Sequence, residues 1–369
     1  MWRILIVMGV LMIPVGVFFY FYFRRTILFW SHKEEKSRGI RNASIILAVL
    51  MVIGSANTFS ATALVILHVA AVQAVIQLLW LAVKRLDKPV LEKIYRCGLV
   101  PLAVTAVILG YGYFHMKDVE RKDYTVAVDK ELPEGVTVAM LSDLHFGTTM
   151  DVEKLQEYCD EISTQNPDII ALCGDIVDER TTKEEMQQAI QVLGSMKSRY
   201  GLYYVFGNHD PATYSFHPPF TVTELTAQFE ANGIQMLTDD CVELGENIVL
   251  AGRLDRSYTM ETGRKSTEEL LEGVDKEKFI LLLDHQPVEL EENAAAGVDL
   301  QLSGHTHGGQ IWPVGLISDV LGFGELNYGE KTIGSYHIIV SSGIAGWGYP
   351  IRTGSDSEYL MVEVSGKSL

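Results

Sequence analysis

The pattern of apolar and polar positions changes character near residue 116. Before it, the apolar runs are long and uncharged. Ile4–Phe23 is twenty residues without a charge, closed by Arg24 and Arg25, and Cys97–Met116 is another twenty. Each matches the roughly 20 helical residues that cross a hydrocarbon core about 30 Å thick. Ala43–Val83 holds 41 residues without Asp, Glu, Lys or Arg. As one helix it would measure about 60 Å, so it predicts two spans joined at its most polar stretch, Gly54-Ser55-Ala56-Asn57-Thr58. Four spans are thus expected, at about 4–23, 43–60, 62–83 and 97–116. The first is no cleaved signal peptide, being long, aromatic near its end and without a small-residue cleavage site.

From about Tyr124 the apolar runs shorten and alternate with charged amphipathic segments. Strands are predicted at Val136–Leu141, Asp168–Cys173, Leu202–Phe206, Ile248–Ala251, Phe279–Leu283, Asp299–Leu302, Tyr336–Val340 and Tyr359–Val364. Helices are predicted at Val152–Ser163, Lys183–Met196 and Thr221–Asn232, the last stopped by Gly233. The expected fold class is α/β, sheets packed between helix layers with ligand-bearing loops at the strand ends. The expected division is 1–116 transmembrane region, 117–124 linker and 125–369 globular domain.

Charge sharpens this division. Residues 1–116 carry 12 Lys/Arg and 4 Asp/Glu, a net of +8; the remainder carries 18 and 43, a net of −25. So acidic a domain excludes non-specific nucleic-acid binding, which needs a basic surface. The basic residues of the first part sit between the apolar runs, Arg24, Arg25, Lys33, Lys36, Arg38 and Arg41 in one loop and Lys84, Arg85, Lys88, Lys93 and Arg96 in another. By the positive-inside rule both loops are cytoplasmic, which places the second part outside the cytoplasm at the cell membrane. His68 has no intramembrane carboxylate for company and reads as a helix–helix hydrogen bond. The four cysteines, Cys97, Cys159, Cys173 and Cys241, have no zinc-site spacing.

Five short polar pieces follow the predicted strands: Ser142–His145 (Ser-Asp-Leu-His), Gly174–Asp178 (Gly-Asp-Ile-Val-Asp), Gly207–Asp210 (Gly-Asn-His-Asp), Asp284–Gln286 (Asp-His-Gln) and Gly304–Gln310 (Gly-His-Thr-His-Gly-Gly-Gln). No packing argument requires Asp, His and Asn at five strand ends, whereas a pair of divalent cations does. Asp143 and His145, two apart, can converge on one ion. Asp175 can bridge two ions with its two oxygens. Asn208 offers a neutral amide oxygen. His209 can hold or donate a proton at a reacting phosphate, with Asp210 orienting its ring. Asp178 reads as a loop or helix-start residue.

In this order the pieces resemble the calcineurin-like metallophosphoesterase superfamily, over roughly residues 136–365. Gly304–Pro313, with Ser342–Gly346 and Pro350–Arg352, resembles its membrane-associated bacterial phosphodiesterase branch, from which Trp312 and Ala345 depart slightly. The resemblance implies a four-layer α/β/β/α sandwich, here preceded by the four-helix transmembrane region. It implies that Asp143, His145 and His307 hold one metal, that Asn208, His285 and His305 hold the other, and that Asp175 bridges them. His209 is then the contact to the scissile phosphate or leaving group. The metals are Mn, Fe or Zn, among which mixed N/O ligands do not choose.

Two such cations can share a water and lower its pKa from about 16 towards about 7, giving a hydroxide that attacks phosphorus in line. The expected substrate is a phosphodiester, or phosphomonoester, of a lipid or cell-envelope molecule. A broad extracytoplasmic phosphomonoesterase or nucleotidase is the alternative. A non-catalytic receptor on the same fold is the third, although no expected ligand is missing. Ile311–Phe323, apolar and next to the last ligand motif, reads either as a surface that meets lipid, Trp312 included, or as a buried loop closing the core. Trp347, Tyr349 and Arg352 are the candidate second wall, with Arg352 on a phosphate or head group.

Overall fold

The computed structural model describes residues 2–33, 37–57, 60–257 and 263–367. Lys36 and Thr58 of the expected loop and turn lie outside the described residues, as do the side chains of residues 2–12 in the first expected span. The chain forms two units, Met1–Gly112 and Tyr113–Leu369.

The first unit is helical: α1 (Trp2–Ser31), α2 (Arg38–Ser55), α3 (Ala61–Val83), α4 (Pro89–Cys97) and α5 (Leu99–His115), whose last turn belongs to the second unit. Among the described residues two helices are long and apolar enough to cross a membrane, Arg38–Ser55 and Ala61–Leu86. A third joins them if α4 and α5, bent by 64°, count as one span. The count expected from the apolar runs was four. The difference on the C-terminal side has a local cause. Gly98, with φ 72°, caps α4 in the left-handed conformation and leaves α5 only 17 residues. The first expected span falls within α1. Phe19, Tyr22, Ala48, Ile66 and Val69 form the bundle's buried centre.

The second unit holds two six-stranded sheets. The first combines β1 (Val119–Glu131), β2 (Val136–Leu141), β3 (Ile169–Cys173), β4 (Leu202–Val205), β5 (Ile234–Met236) and β12 (Ser357–Lys367), in the order β1-β12-β2-β3-β4-β5. The second combines β6 (Asp240–Leu244), β7 (Ile248–Gly252), β8 (Phe279–Leu283), β9 (Leu300–Ser303), β10 (Gly329–Ile333) and β11 (Tyr336–Val340), in the order β10-β11-β9-β8-β7-β6. The central neighbours β2, β3 and β4, and likewise β7, β8 and β9, are parallel. Residues 119–124, expected as linker, are instead edge strand, with Val119 to Ala127 in register against Ser357 to Ser365.

Period-2 alternation explains the layering. Ile169, Ala171 and Cys173 of β3 meet Phe279, Leu281 and Leu283 of β8 in a core between the sheets. Ile170 and Leu172 face outward, with Leu155, Ile162, Ile190 and Phe229 from α6 (Val152–Thr164), α7 (Lys183–Leu193) and α8 (Val222–Ala231). Ile280 and Leu282 face the other way, beside Leu270 of α9 (Thr267–Leu270) and Leu290 of α10 (Leu290–Ala295). The result is an α/β/β/α sandwich. Helix starts follow side-chain chemistry: Thr182 with Glu185 and Thr221 with Glu224 close reciprocal capping boxes on α7 and α8.

Candidate metal centre

Five parallel strands, β2, β3, β4, β8 and β9, end at one edge, and each hands the chain to a polar loop. Backbone geometry there is unusual. Asp143, His145, Asp175, His305 and His307 have φ of 55°, 39°, 53°, 74° and 52°. Such conformations cost non-glycine residues about 1–3 kcal/mol each and persist where surrounding bonds over-determine them. Here the Asp143 N–H donates to the Gly174 carbonyl and the His145 N–H to the Asp175 carbonyl, both at 3.0 Å. Two glycines are required by close approach. A Cβ on Gly207 would lie 2.2 Å from Asp175 Oδ1, and one on Gly304 would lie 2.2 Å from Asp143 Oδ2.

The side chains gather in two clusters. Asp143, His145 and His307 bring their ligand atoms within 4.8 Å of one another, and so do Asp175, His285 and His305. One oxygen faces both clusters, since Asp175 Oδ2 lies 3.1 Å from His285 Nε2 and 3.7 Å from His145 Nε2. Asn208 Oδ1 is 2.8 Å from His305 Nδ1, which brings it to the second cluster.

These residues fit divalent cations on their own geometry. His145 Nε2 and His307 Nε2 lie 3.3 Å apart, although two imidazole nitrogens can share only one proton. His285 donates from Nδ1 to the Cys173 carbonyl at 2.7 Å, which fixes the ring with its buried Nε2 aimed at Asp175 Oδ2 and the second cluster. Asp178 accepts the Arg180 N–H at 2.7 Å within its loop, and its other oxygen, 3.5 Å from His145 Nδ1, backs the His145 ring. Burial pushes His307 down to about 3 and, together with the nearby His285, lowers His305, which keeps both rings neutral for ligation. Burial would also lower His285, but the Asp175 carboxylate overrides it and holds the ring well above its ordinary value. A proton there occupies the place a cation would take. The two His/Asp clusters are consistent with a dinuclear metal site.

His209 sits at the rim, its ring centroid 5.3 Å from that of His145, 5.1 Å from Trp347 and 5.2 Å from Tyr214. Its expected partner was Asp210, and this is corrected. The fully buried Asp210 carboxylate accepts the backbone N–H groups of Asp175, Ile176, Val177 and Gly207 at 2.7–3.0 Å. His209 Nδ1 instead faces Glu179, 3.1 and 3.0 Å from its two oxygens. Burial would lower His209, but the Glu179 hydrogen bond and the charges of Asp175, Glu179 and Asp178 outweigh it and raise its pKa. Sequence reasoning missed Glu179, the residue immediately after the Gly-Asp-Ile-Val-Asp piece.

Arg352, expected on a phosphate or head group, is also corrected. It is fully buried. Its guanidinium donates to the carbonyls of Ser342, His307 and Asp356 at 3.0, 3.3 and 2.8 Å and to Ser355 Oγ at 2.8 Å, which locks the loop carrying His307. Trp347 is half-buried beside His209, and Trp312 is 67% exposed. Asp284, in the Asp-His-Gln piece, accepts Arg264 Nη1 at 2.9 and 3.1 Å and so supports the strand end rather than a metal.

The calcineurin-like phosphoesterase profile matches residues 136–309, from the start of β2 through the last ligand motif. An uncharacterised metallophosphoesterase of Aquifex aeolicus is 31% identical over 269 residues, which cover 71% of this chain and 98% of that protein. The chain belongs to the calcineurin-like metallophosphoesterase family. This metallophosphoesterase is also similar to an uncharacterised one of Campylobacter jejuni, 29% identical over 290 residues, covering 75% of this chain and 71% of that protein. A Danio rerio protein described as a transmembrane protein with metallophosphoesterase domain is 29% identical over 282 residues, covering 72% of this chain and 62% of its own length. The family makes this chain a metal-dependent phosphoric ester hydrolase, and its candidate spans associate it with a membrane.

Proposed function

We propose that this metallophosphoesterase is a membrane-anchored phosphodiesterase of the membrane-associated bacterial branch, cleaving a phosphate ester of a lipid or other cell-envelope molecule outside the cytoplasm. The observation that carries the reading is the pair of buried donor clusters with Asp175 Oδ2 between them. Asp143, His145 and His307 would hold one cation, Asn208, His285 and His305 the other, and Asp175 both. Cations held there supply Lewis acidity, which acidifies a water and neutralises charge on the phosphoryl oxygens. His209, whose charged form Glu179 favours, delivers its proton to the leaving oxygen. Trp347 and Tyr214 flank that ring.

The lipid part of the reading rests on the segment after the last ligand. Ile311–Phe323 does not close a core. It carries helix α11 (Val314–Leu321), of which no residue is buried. Trp312, Leu316, Ile317, Val320, Leu321 and Phe323 are between 46% and 74% exposed. Contiguous apolar surface of this kind marks an interaction site. It is tied to the rim: the Trp312 N–H donates to Thr353 Oγ1 at 3.1 Å, and Gln310 Nε2 donates to the Trp347 carbonyl at 3.2 Å. The chain also enters this unit nearby, the His115 ring nitrogens lying 3.1 Å from the Arg352 carbonyl and 3.0 Å from Asp356.

The test compares bis(p-nitrophenyl) phosphate with p-nitrophenyl phosphate. The full chain in detergent is stripped of metal, reloaded with Mn²⁺ and run beside Asp175→Ala. Metal-dependent turnover that favours the diester and vanishes in the variant is expected. Preference for the monoester would instead select the phosphomonoesterase or nucleotidase reading. No turnover of either ester by folded, two-metal protein would overturn the hydrolase proposal.

A further inference from the structure

The helical unit contains a feature that an anchor does not need. A cavity of about 610 Å³ opens between α1, α3 and α4, lined by Arg24, Arg25, Gln73, Gln77, Tyr95 and Arg96 among others. Arg25 donates to the neutral Gln73 Oε1 at 3.2 Å, and its guanidinium lies 4.0 Å over the Tyr95 ring, which stacks at 4.7 Å on Trp80. Its Nε is buried without a hydrogen-bond partner. Among the described residues that line the cavity the carboxylate is Glu92, which Arg96 engages at 3.1 Å.

Arg25 closes the first apolar run and is half-buried in the cavity wall, where a charged group is normally paired with an acid. Arg25 is held instead by an amide and an aromatic face, which orient the planar fork without neutralising it. That is how a phosphate site is built, since the fork can donate two parallel hydrogen bonds to one phosphate group. Gln77 and Trp80 lie in the last two turns of α3, just before Lys84 and Arg85, so the cavity is at the basic end of the bundle. Basic pockets between membrane helices at such ends take anionic lipid head groups.

A second hollow, about 550 Å³ and nearly wholly apolar, runs between α1 and α2 past Val17, Tyr20, Val49 and Ile53. Phe21 lines both hollows. A polar, cationic compartment thus meets an apolar trough at one side chain, a shape that matches an amphiphile better than a small anion.

We propose that the helical unit binds one anionic phospholipid, its phosphate against Arg25 and an acyl chain in the trough between α1 and α2. The proposal stands independently of the metal centre. It makes the helical region a lipid-reading element as well as an anchor.

Native mass spectrometry of the full chain in neutral detergent tests it, with phosphatidylglycerol, phosphatidylcholine and inorganic phosphate as probes. Phosphatidylglycerol adducts should form at about tenfold lower concentration than phosphatidylcholine adducts. Arg25→Gln and Arg96→Gln should each abolish that preference, and Lys88→Gln, outside the cavity lining, should keep it. Arg96, with its side chain 42% exposed, can be replaced without disturbing helix packing, which keeps the test open if Arg25→Gln fails to fold. Equal binding of the two lipids, an unchanged preference in Arg96→Gln, or displacement of phosphatidylglycerol by equimolar inorganic phosphate would each overturn the proposal.

Discussion

A histidine that gives up a proton during turnover benefits from a neighbour that favours its charged form, and His209 has Glu179 in that place. Replacing Glu179 by Gln removes the charge, and reduces the charge-assisted hydrogen bond to a neutral one, that together raise the His209 pKa. A general acid is competent below its pKa and fails as pH rises through it. Glu179→Gln should therefore move the alkaline limb of the kcat–pH profile to lower pH and reduce kcat at neutrality by about 10- to 100-fold, as loss of an orienting partner does. His209→Ala should cost about 10²- to 10⁴-fold at every pH. An unmoved limb in Glu179→Gln would remove Glu179 from this role. His285 carries a second prediction. Burial lowers its pKa, but Asp175 raises it further, so binding of a cation must displace a proton. Acid then competes with metal: occupancy should fall as pH drops from 8 to 5, and calorimetry in buffers of different ionisation enthalpy should register proton release. Proton-neutral binding would contradict the Asp175–His285 arrangement.

Strand interiors and strand ends do different work, and each can be tested apart from the other. Every residue of β8 is buried, with Leu281 in the core between the sheets. Leu281→Ala should cost about 2–5 kcal/mol in denaturant unfolding, through lost transfer energy and the remaining cavity. Asp210 joins the loops after β3 and β4 through its four amide bonds. Asp210→Ala leaves those buried donors unmatched, at about 1–3 kcal/mol each where no water replaces the carboxylate. It should lower both Tm and metal stoichiometry although Asp210 holds no metal, and full metal occupancy in a destabilised variant would show the loops to be independent. The same division explains what the sequence made legible. Val136–Leu141, Phe279–Leu283 and Tyr336–Val340 were bounded correctly because strands buried on both faces read as apolar runs. The edge strands β1 and β10 escaped notice. Glu120 to Asp123 and Glu330 with Lys331 put charge where an edge meets water, which hides the alternation. The residue types of the two His/Asp clusters were legible because packing has no use for them at strand ends. The partners Glu179 and Arg352 were not, because which acid meets His209, and whether an arginine points in or out, depend on loop geometry that spacing does not encode.

At the scale of the whole chain, a basic apolar part precedes a hydrolase part with a net charge of −25. An acidic surface is repelled by anionic lipid, so a lipid substrate requires an apolar point of contact, and α11 offers one. Leu316 and Val320, four residues apart on one helix face, are 58% and 74% exposed. Leu316→Asp with Val320→Asp should change stability by no more than about 0.5 kcal/mol per site, as exposed positions allow. At a membrane surface each native side chain would bury about 1.5–3 kcal/mol of apolar area if fully covered, so losing both should weaken productive engagement by at least tenfold. The full chain in proteoliposomes should therefore lose most hydrolysis of a vesicle-embedded phosphodiester while its turnover of soluble bis(p-nitrophenyl) phosphate stays unchanged. Equal loss on both substrates would place α11 within the catalytic apparatus. Full retention on both would detach α11 from lipid engagement and favour a water-soluble substrate, because nothing in the metal centre itself distinguishes the two.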